Sequence, residues 1–99
     1  MFAIMTVTGI DHVGIIAAVS TACAELNINI HNVSQTLMDD FFTMILHVAF
    51  DESEVDITTI QEKMTEVGER EKLVIRIQSQ AIFDAMKLRD RKSVVRERV

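Results

Sequence analysis

Segments with two different hydrophobic periods alternate along this chain, and their order limits the folds that it can adopt. Apolar residues occupy every second position of residues 41–50, a period that predicts a β-strand with one buried face. In other segments the apolar residues recur every three or four positions, which predicts amphipathic helices. We therefore expect strands at 2–8, 28–38, 41–50 and 72–78, with helices at 13–26 and 54–68.

The element order β-α-β-β-α-β predicts a ferredoxin-like α/β (α+β) sandwich. Two right-handed crossovers around a central hairpin give a four-stranded antiparallel sheet with both helices on one face. Residues 80–89 add a short C-terminal helix with apolar Ile82, Phe83 and Met86. Four residues should be buried in the core of this sandwich, namely Val19, Leu26, Leu46 and Ile75.

Local signals predict where several elements begin and end. A two-residue turn at Asp39-Asp40 should join the second and third strands. The alternation of the second strand breaks near His31-Asn32, as it does at a β-bulge. Asp11 is a plausible N-cap for the first helix. For the second helix we expect Ser53 as N-cap, with Asp56 in a variant capping box, and Gly68 at the C-terminus.

Charge and length divide the chain into one domain and a tail. The 99 residues carry a net charge of −5, which argues against nucleic acid as the main partner. Residues 1–89 are sufficient for one domain. Residues 90–99 carry a net charge of +2 and fit no element, so we expect a basic tail that is disordered or not native to the protein.

Composition excludes several classes of site. Cys23 is the only cysteine and shares the apolar stripe of the first helix, so we predict an inert core thiol and no disulfide. The three histidines lack metal-ligand spacing, and we predict neither a metal nor a cofactor. No apolar run approaches the roughly 20 residues that span a bilayer, and we expect a cytoplasmic protein without membrane contact.

The loop between the first strand and the first helix carries the most suggestive chemistry. Gly9 and Gly14 allow a ligand to approach the backbone closely. The helix N-terminus that follows suits a carboxylate, and Asp11 could accept the ammonium group of the same molecule. A zwitterionic amino acid would satisfy both ends. Simpler interpretations stay open: Asp11 could only cap the helix, and Gly14 could only permit a turn.

The sequence IDHVGIIAAV at residues 10–19 resembles the signature of the ACT domain family, and LNINI at residues 26–30 resembles that family's segment at the start of the second strand. His12 stands where the family often has arginine, and Val13 where it often has proline. Members bind small molecules, often amino acids, where two copies meet. The resemblance implies a regulatory module without catalytic activity, a homodimer and a regulated protein partner.

The same resemblance indicates which residues would bind the ligand. The loop positions that carry over are Gly9, Asp11 and Gly14, and Asn29 carries over from the start of the second strand. His12 and Val13 lie between the loop positions. Asn32 is a weaker addition because only the bulge suggests it, and His31 is weaker still. Asn29 could instead only complete hydrogen bonds at a strand start.

An enzyme and an RNA-binding module are two of the alternatives to this hypothesis. An enzyme would need a nucleophile or a paired acid and base in a recognisable motif, and none is present. An RNA-binding module of the same fold would need aromatic residues on the open sheet face. We expect that face to show Thr6, Thr8, Thr43, Ile45, His47, Arg76 and Gln78. An RNA-binding or protein-interaction module without a small ligand remains the alternative.

Overall fold

In a computed structural model, residues 1–82 and residue 85 are described. The element order is β1 (Phe2–Ile10), α1 (Ile15–Glu25), β2 (Asn29–Met38), β3 (Phe41–Ala49), α2 (Ile57–Glu71) and β4 (Leu73–Ser79). The strands form one sheet in the order β2-β3-β1-β4, and every neighbouring pair is antiparallel. This arrangement confirms the predicted ferredoxin-like sandwich.

The hydrophobic core lies between one face of the sheet and the two helices. On β3 the alternation predicted from the sequence is present, with Met44 and Leu46 buried and Ile45 exposed between them. The buried side chains of the helices are Ile15, Val19, Ala22 and Cys23 on α1, and Ile60, Met64 and Val67 on α2. Burial of this apolar surface is the main stabilising contribution to the fold.

The predicted burial of Val19, Leu46 and Ile75 is confirmed. The prediction for Leu26 is wrong, because this residue is the C-cap of α1 and only its inner side packs against the core. Cys23 is buried as expected, and desolvation raises the pKa of its thiol to about 11. The thiol is therefore protonated at neutral pH.

Both irregularities predicted for the β2–β3 hairpin are present. The register shifts between Ile30 and Asn32, which leaves His31 as the extra residue of a β-bulge. Met38 pairs with Phe41 across the turn, and Asp39 has a left-handed φ of 54°. Aspartate tolerates this conformation better than most non-glycine residues.

The N-cap predictions for both helices are wrong. Gly14, not Asp11, is the N-cap of α1, because residues 11–14 complete a turn before the helix begins. Asp56, not Ser53, is the N-cap of α2, and its Oδ1 accepts a hydrogen bond from the Thr59 N–H at 2.8 Å. Ser53 instead donates its hydroxyl to Asp51 in the preceding turn, at 2.7 Å.

The end of α2 also differs from the prediction. The helix continues through Gly68 to Glu71, and Lys72 takes the left-handed conformation with a φ of 60°. The Lys72 N–H donates to the Gly68 carbonyl and so closes the last turn. Because Lys72 reverses the chain at once, β4 begins at the next residue.

Part of the predicted C-terminal helix is observed. Residues 80–82 and 85 are helical, and Ile82 is half exposed. Phe83 and Met86 lie outside the described residues, as do the end of the predicted domain at residue 89 and the tail 90–99. Within the described part of the chain, no helix is long and apolar enough to cross a membrane.

Candidate functional site

Residues 11–14 form the loop that carries most of the predicted site, and they are held at two points. The Asp11 N–H donates to the Asp40 carbonyl at 2.7 Å, which joins this loop to the β2–β3 turn. On its other side, Nε2 of His12 lies 2.8 Å from the Glu71 carbonyl oxygen at the end of α2. The loop therefore lies between the hairpin turn and the C-terminus of α2.

The N-terminus of α1 is open to solvent. Gly14 has a φ of 96°, and no side chain of the described residues caps the helix. The first turn also contains no acidic residue. Free N–H groups and the helix dipole make such an end attractive to an anion. Val13 is 99% exposed, and a Cβ on Gly14 would meet no atom within 4 Å, so space is available for a small ligand.

Packing within the fold explains why position 9 is a glycine. It lies within β1 beside the turn between α2 and β4. A Cβ at this position would lie 2.7 Å from Leu73 Cδ2 and 3.1 Å from the Lys72 carbonyl oxygen. Close packing of β1 against this turn therefore requires glycine whether or not a ligand binds.

Asn29 and Asn32 lie at the other end of the sheet from the loop. Asn29 is level with Ala49 and Phe2, whereas the loop follows Ile10 at the far end of β1. A strand rises about 3.3 Å per residue, so the eight steps from Phe2 to Ile10 place Asn29 about 26 Å from the loop; Asn32, which is level with His47 and Ile4, is about 20 Å from it. One small ligand cannot contact both groups within a single chain.

The region around Asn29 contains a cluster that the sequence pattern did not reveal. The Phe2 and His47 rings stack with centroids 5.1 Å apart, and the His31 ring meets Phe2 edge-on at 5.3 Å. Asn29 Nδ2 lies 3.4 Å from His31 Nε2. The cluster brings together His31 of β2, His47 of β3 and Phe2 of β1, and the register of β2 shifts at this point. Within the described residues, no group of three or more His, Cys, Asp or Glu side chains could hold a metal ion.

The strand that carries Asn29 and Asn32 is an unusually open sheet edge. All but one of the ten residues of β2 are exposed. Val33 and Leu37 face the helix side of the sheet, level with buried Leu46 and Phe42, yet they are 45% and 58% exposed. The helices do not extend over this edge. An exposed edge strand with apolar side chains is a template for pairing with another chain.

A groove also lies between α2 and β4. It has a volume of about 350 Å³ and is lined by residues that include Thr65, Leu73 and Arg76. None of the predicted site residues lines it. The groove therefore gives no support to the predicted ligand site, which depends on the loop and on β2.

Comparison with known proteins agrees with this geometry. The sequence profile of the ACT domain matches residues 3–71, which include the loop, both helices and the first three strands. This chain belongs to the ACT domain family. A UPF0237 protein of Corynebacterium diphtheriae is 68% identical over 88 residues, an alignment that covers 89% of this chain and 99% of the relative.

Solved structures show the same fold. An ACT domain protein from Streptococcus pneumoniae is 44% identical with a TM-score of 0.75, and the match covers 84% of this chain and 93% of that one. A structure described as a candidate glycine cleavage system transcriptional repressor has a TM-score of 0.69 at 19% identity. That match covers 78% of this chain and 44% of the other, and it supports the fold alone.

Proposed function

We propose that this ACT domain protein is a regulatory module that binds a small amino acid and catalyses no reaction. The observation that carries the proposal is the uncapped N-terminus of α1, which lies directly after a loop containing Asp11. A helix N-terminus attracts a carboxylate, and an exposed aspartate attracts an ammonium group. The two groups of an α-amino acid are close enough together to meet both.

The proposal is supported by the finding that Asp11 is not the N-cap of α1. If Asp11 capped α1, its carboxylate would occupy the N–H groups that a ligand needs. Gly14 caps the helix without a side chain, so both the helix N-terminus and the Asp11 carboxylate are left for a ligand. The Asp11 backbone is fixed through Asp40, which positions the side chain without using it.

We further propose that the complete pocket lies between two copies of the chain. Within one chain Asn29 is about 26 Å from the loop, as the strand rise gives. A two-fold axis near the middle of β2 would place the two β2 strands antiparallel, so that Asn29 of the partner subunit lies near Met38. The loop reaches the same end of the sheet through its hydrogen bond to Asp40.

The exposed edge of β2 supports this homodimer. Pairing two such edges would satisfy their free backbone groups and cover Val33 and Leu37. Because the ligand would contact both subunits, ligand binding and dimerisation would reinforce each other. Such coupling allows a module without catalytic chemistry to regulate a protein partner, and we place this activity in the cytoplasm.

A thermal-shift screen of the twenty amino acids tests the proposal. A ligand that binds only the native state stabilises it by RT ln(1 + [L]/Kd), or about 2.7 kcal/mol at 100 times Kd. We expect at least one small amino acid to raise the melting temperature of the wild-type chain. The Asp11→Ala variant should lose most of this increase.

Glu66→Ala provides the matched control. Glu66 is an exposed acidic residue within α2, away from both the loop and the start of β2. This variant should retain the full ligand response. If no amino acid at millimolar concentration changes the melting temperature, or if both variants respond alike, the proposed ligand site is wrong.

A further inference from the structure

The side chain of His12 makes an unusual pair of contacts. Its Nε2 lies 2.8 Å from the Glu71 carbonyl oxygen, and its Nδ1 lies 3.0 Å from the Val13 carbonyl oxygen. Both distances are those of ordinary hydrogen bonds. A backbone carbonyl can only accept, so each ring nitrogen must carry a proton to make its bond.

Only one charge state of histidine meets this requirement. A neutral imidazole has one N–H donor and one bare nitrogen, whereas an imidazolium has two donors. In the neutral ring, one nitrogen lone pair would face a carbonyl oxygen at about 3 Å without a hydrogen between them. Protonated His12 is therefore the form that can make both hydrogen bonds at once.

The surroundings favour the same charge state. Glu71 is the last residue of α2, so its carbonyl lies at the negative end of the helix dipole, where a cation is stabilised. The hydrogen bonds to the Val13 and Glu71 carbonyls raise the pKa of His12 above its ordinary value, and the Glu71 and Asp11 carboxylates raise it further. Glu71 also forms an ion pair with Arg70, at 3.3 Å, and Lys72 follows it as the C-cap.

We propose that His12 is a proton-dependent clamp that fixes the loop of residues 11–14 to the C-terminus of α2. When His12 is protonated, it holds both carbonyls and thereby sets the backbone that leads into the N-terminus of α1. When it loses the proton, the ring can donate only one of the two hydrogen bonds at a time, so the attachment of the loop to α2 is weakened. His12 is thus a positioning residue.

The clamp requires no ligand, but its consequence for regulation rests on the proposed function. If an amino acid binds at the N-terminus of α1, its affinity should be higher when the clamp is closed. Because folding raises the pKa of His12, the protonated, closed form is complete below the ordinary histidine pKa of about 6.5. This form is lost as the pH rises through the pKa of His12 in the folded protein. Affinity should therefore fall as the pH rises.

Nuclear magnetic resonance on the ligand-free full chain tests the clamp directly. We expect the His12 ring to titrate above pH 6.5, and the amide signals of residues 12–14 and 72 to shift with the same midpoint. In His12→Arg the guanidinium supplies permanent donors. The loop amides should then keep the shifts of the low-pH form over the whole range. In His12→Ala they should exchange with solvent severalfold faster than in the wild type at low pH, and the difference should be smaller at high pH.

His47→Ala is the matched control, because His47 is level with Ile4, six positions along β1 from Ile10, and its Nε2 lies 2.9 Å from Gln80 Oε1. This variant should leave the titration of the loop unchanged. The clamp is wrong if His12 titrates at or below pH 6.5, or if the loop amides still titrate in His12→Arg. Because none of these measurements uses a ligand, a failed amino-acid screen would overturn the proposed function and leave the clamp intact.

Discussion

Substitution of Gly68 by alanine gives the sharpest test of how α2 packs against β4. Gly68 is buried within α2, four residues before the left-handed Lys72 that turns the chain into β4. In a helix interior, alanine is normally more stable than glycine by roughly 0.5–1 kcal/mol. Propensity alone therefore predicts a stabilised protein.

The structure predicts the opposite sign. A Cβ on Gly68 would lie 2.6 Å from the Leu73 carbonyl oxygen and 3.9 Å from Ile75 Cγ1. The first contact is with backbone and cannot be relieved by a side-chain rotation, so α2 and β4 must move apart. Overpacking of this kind costs about 1–3 kcal/mol. With a mid-range overpacking cost of about 2 kcal/mol and a propensity gain of roughly 0.75 kcal/mol, we expect a net loss of roughly 1 kcal/mol.

Urea and thermal unfolding followed by circular dichroism measure this difference. For a domain of this size a loss of 1 kcal/mol lowers the melting temperature by about 4–8 °C. Glu69→Ala is the control, since Glu69 is the next residue in α2 and is exposed, and its change should lie within about 0.5 kcal/mol. A Gly68→Ala variant as stable as the wild type, or more stable, would refute the packing argument.

Three further predictions follow from burial, from the open edge of β2 and from the loop. Cys23 should not react with a thiol reagent at pH 8 until the protein is unfolded, because burial holds its pKa at about 11; rapid reaction of the native chain would contradict this. Light scattering should give the wild type a mass twice the chain mass of 11.2 kDa. Val33→Lys should reduce this mass, whereas Val74→Lys, on the opposite edge of the sheet, should not. Equal masses for the two variants would exclude the β2 interface. Calorimetry should show that Asp11→Ala weakens the amino acid identified in the screen by about 10- to 150-fold, as the loss of one charge-assisted hydrogen bond would; unchanged affinity would remove Asp11 from the site.

Most of the fold could be predicted from the spacing of the apolar residues along the sequence. The alternation in β3 determined which face is buried, and the fault in β2 located the bulge at His31 because a single extra residue restores the period. These signals are local and repeat over many residues, so a single ambiguous position does not erase them.

The ends of the helices were harder to predict, because several residues of the correct type compete. Ser53 and Asp56 are both suitable caps, and the contact between Ser53 and Asp51 leaves Asp56 as the N-cap. Gly68 is a typical C-terminal residue, yet the structure uses it for close packing against Leu73. Lys72 has no sequence signal for a left-handed conformation.

The candidate site was predictable in its residue types but not in its arrangement. The conformation of the loop depends on Asp40 and Glu71, which are distant in sequence and have no local signal. Likewise, the resemblance assigns Asp11 and Asn29 to one site, but the sheet register shows that within one chain they lie at opposite ends of the sheet. Long-range contacts of this kind depend on the whole topology.

In the proposed dimer, one amino acid contacts the loop of one subunit and the start of β2 in the other. The most direct test is to titrate the isotope-labelled full chain with the amino acid from the screen and to map the amide shifts. We expect two separate groups to shift with one saturation curve, residues 11–17 and residues 29–32. Shifts in only one group, or no shift with any amino acid at millimolar concentration, would contradict the claim.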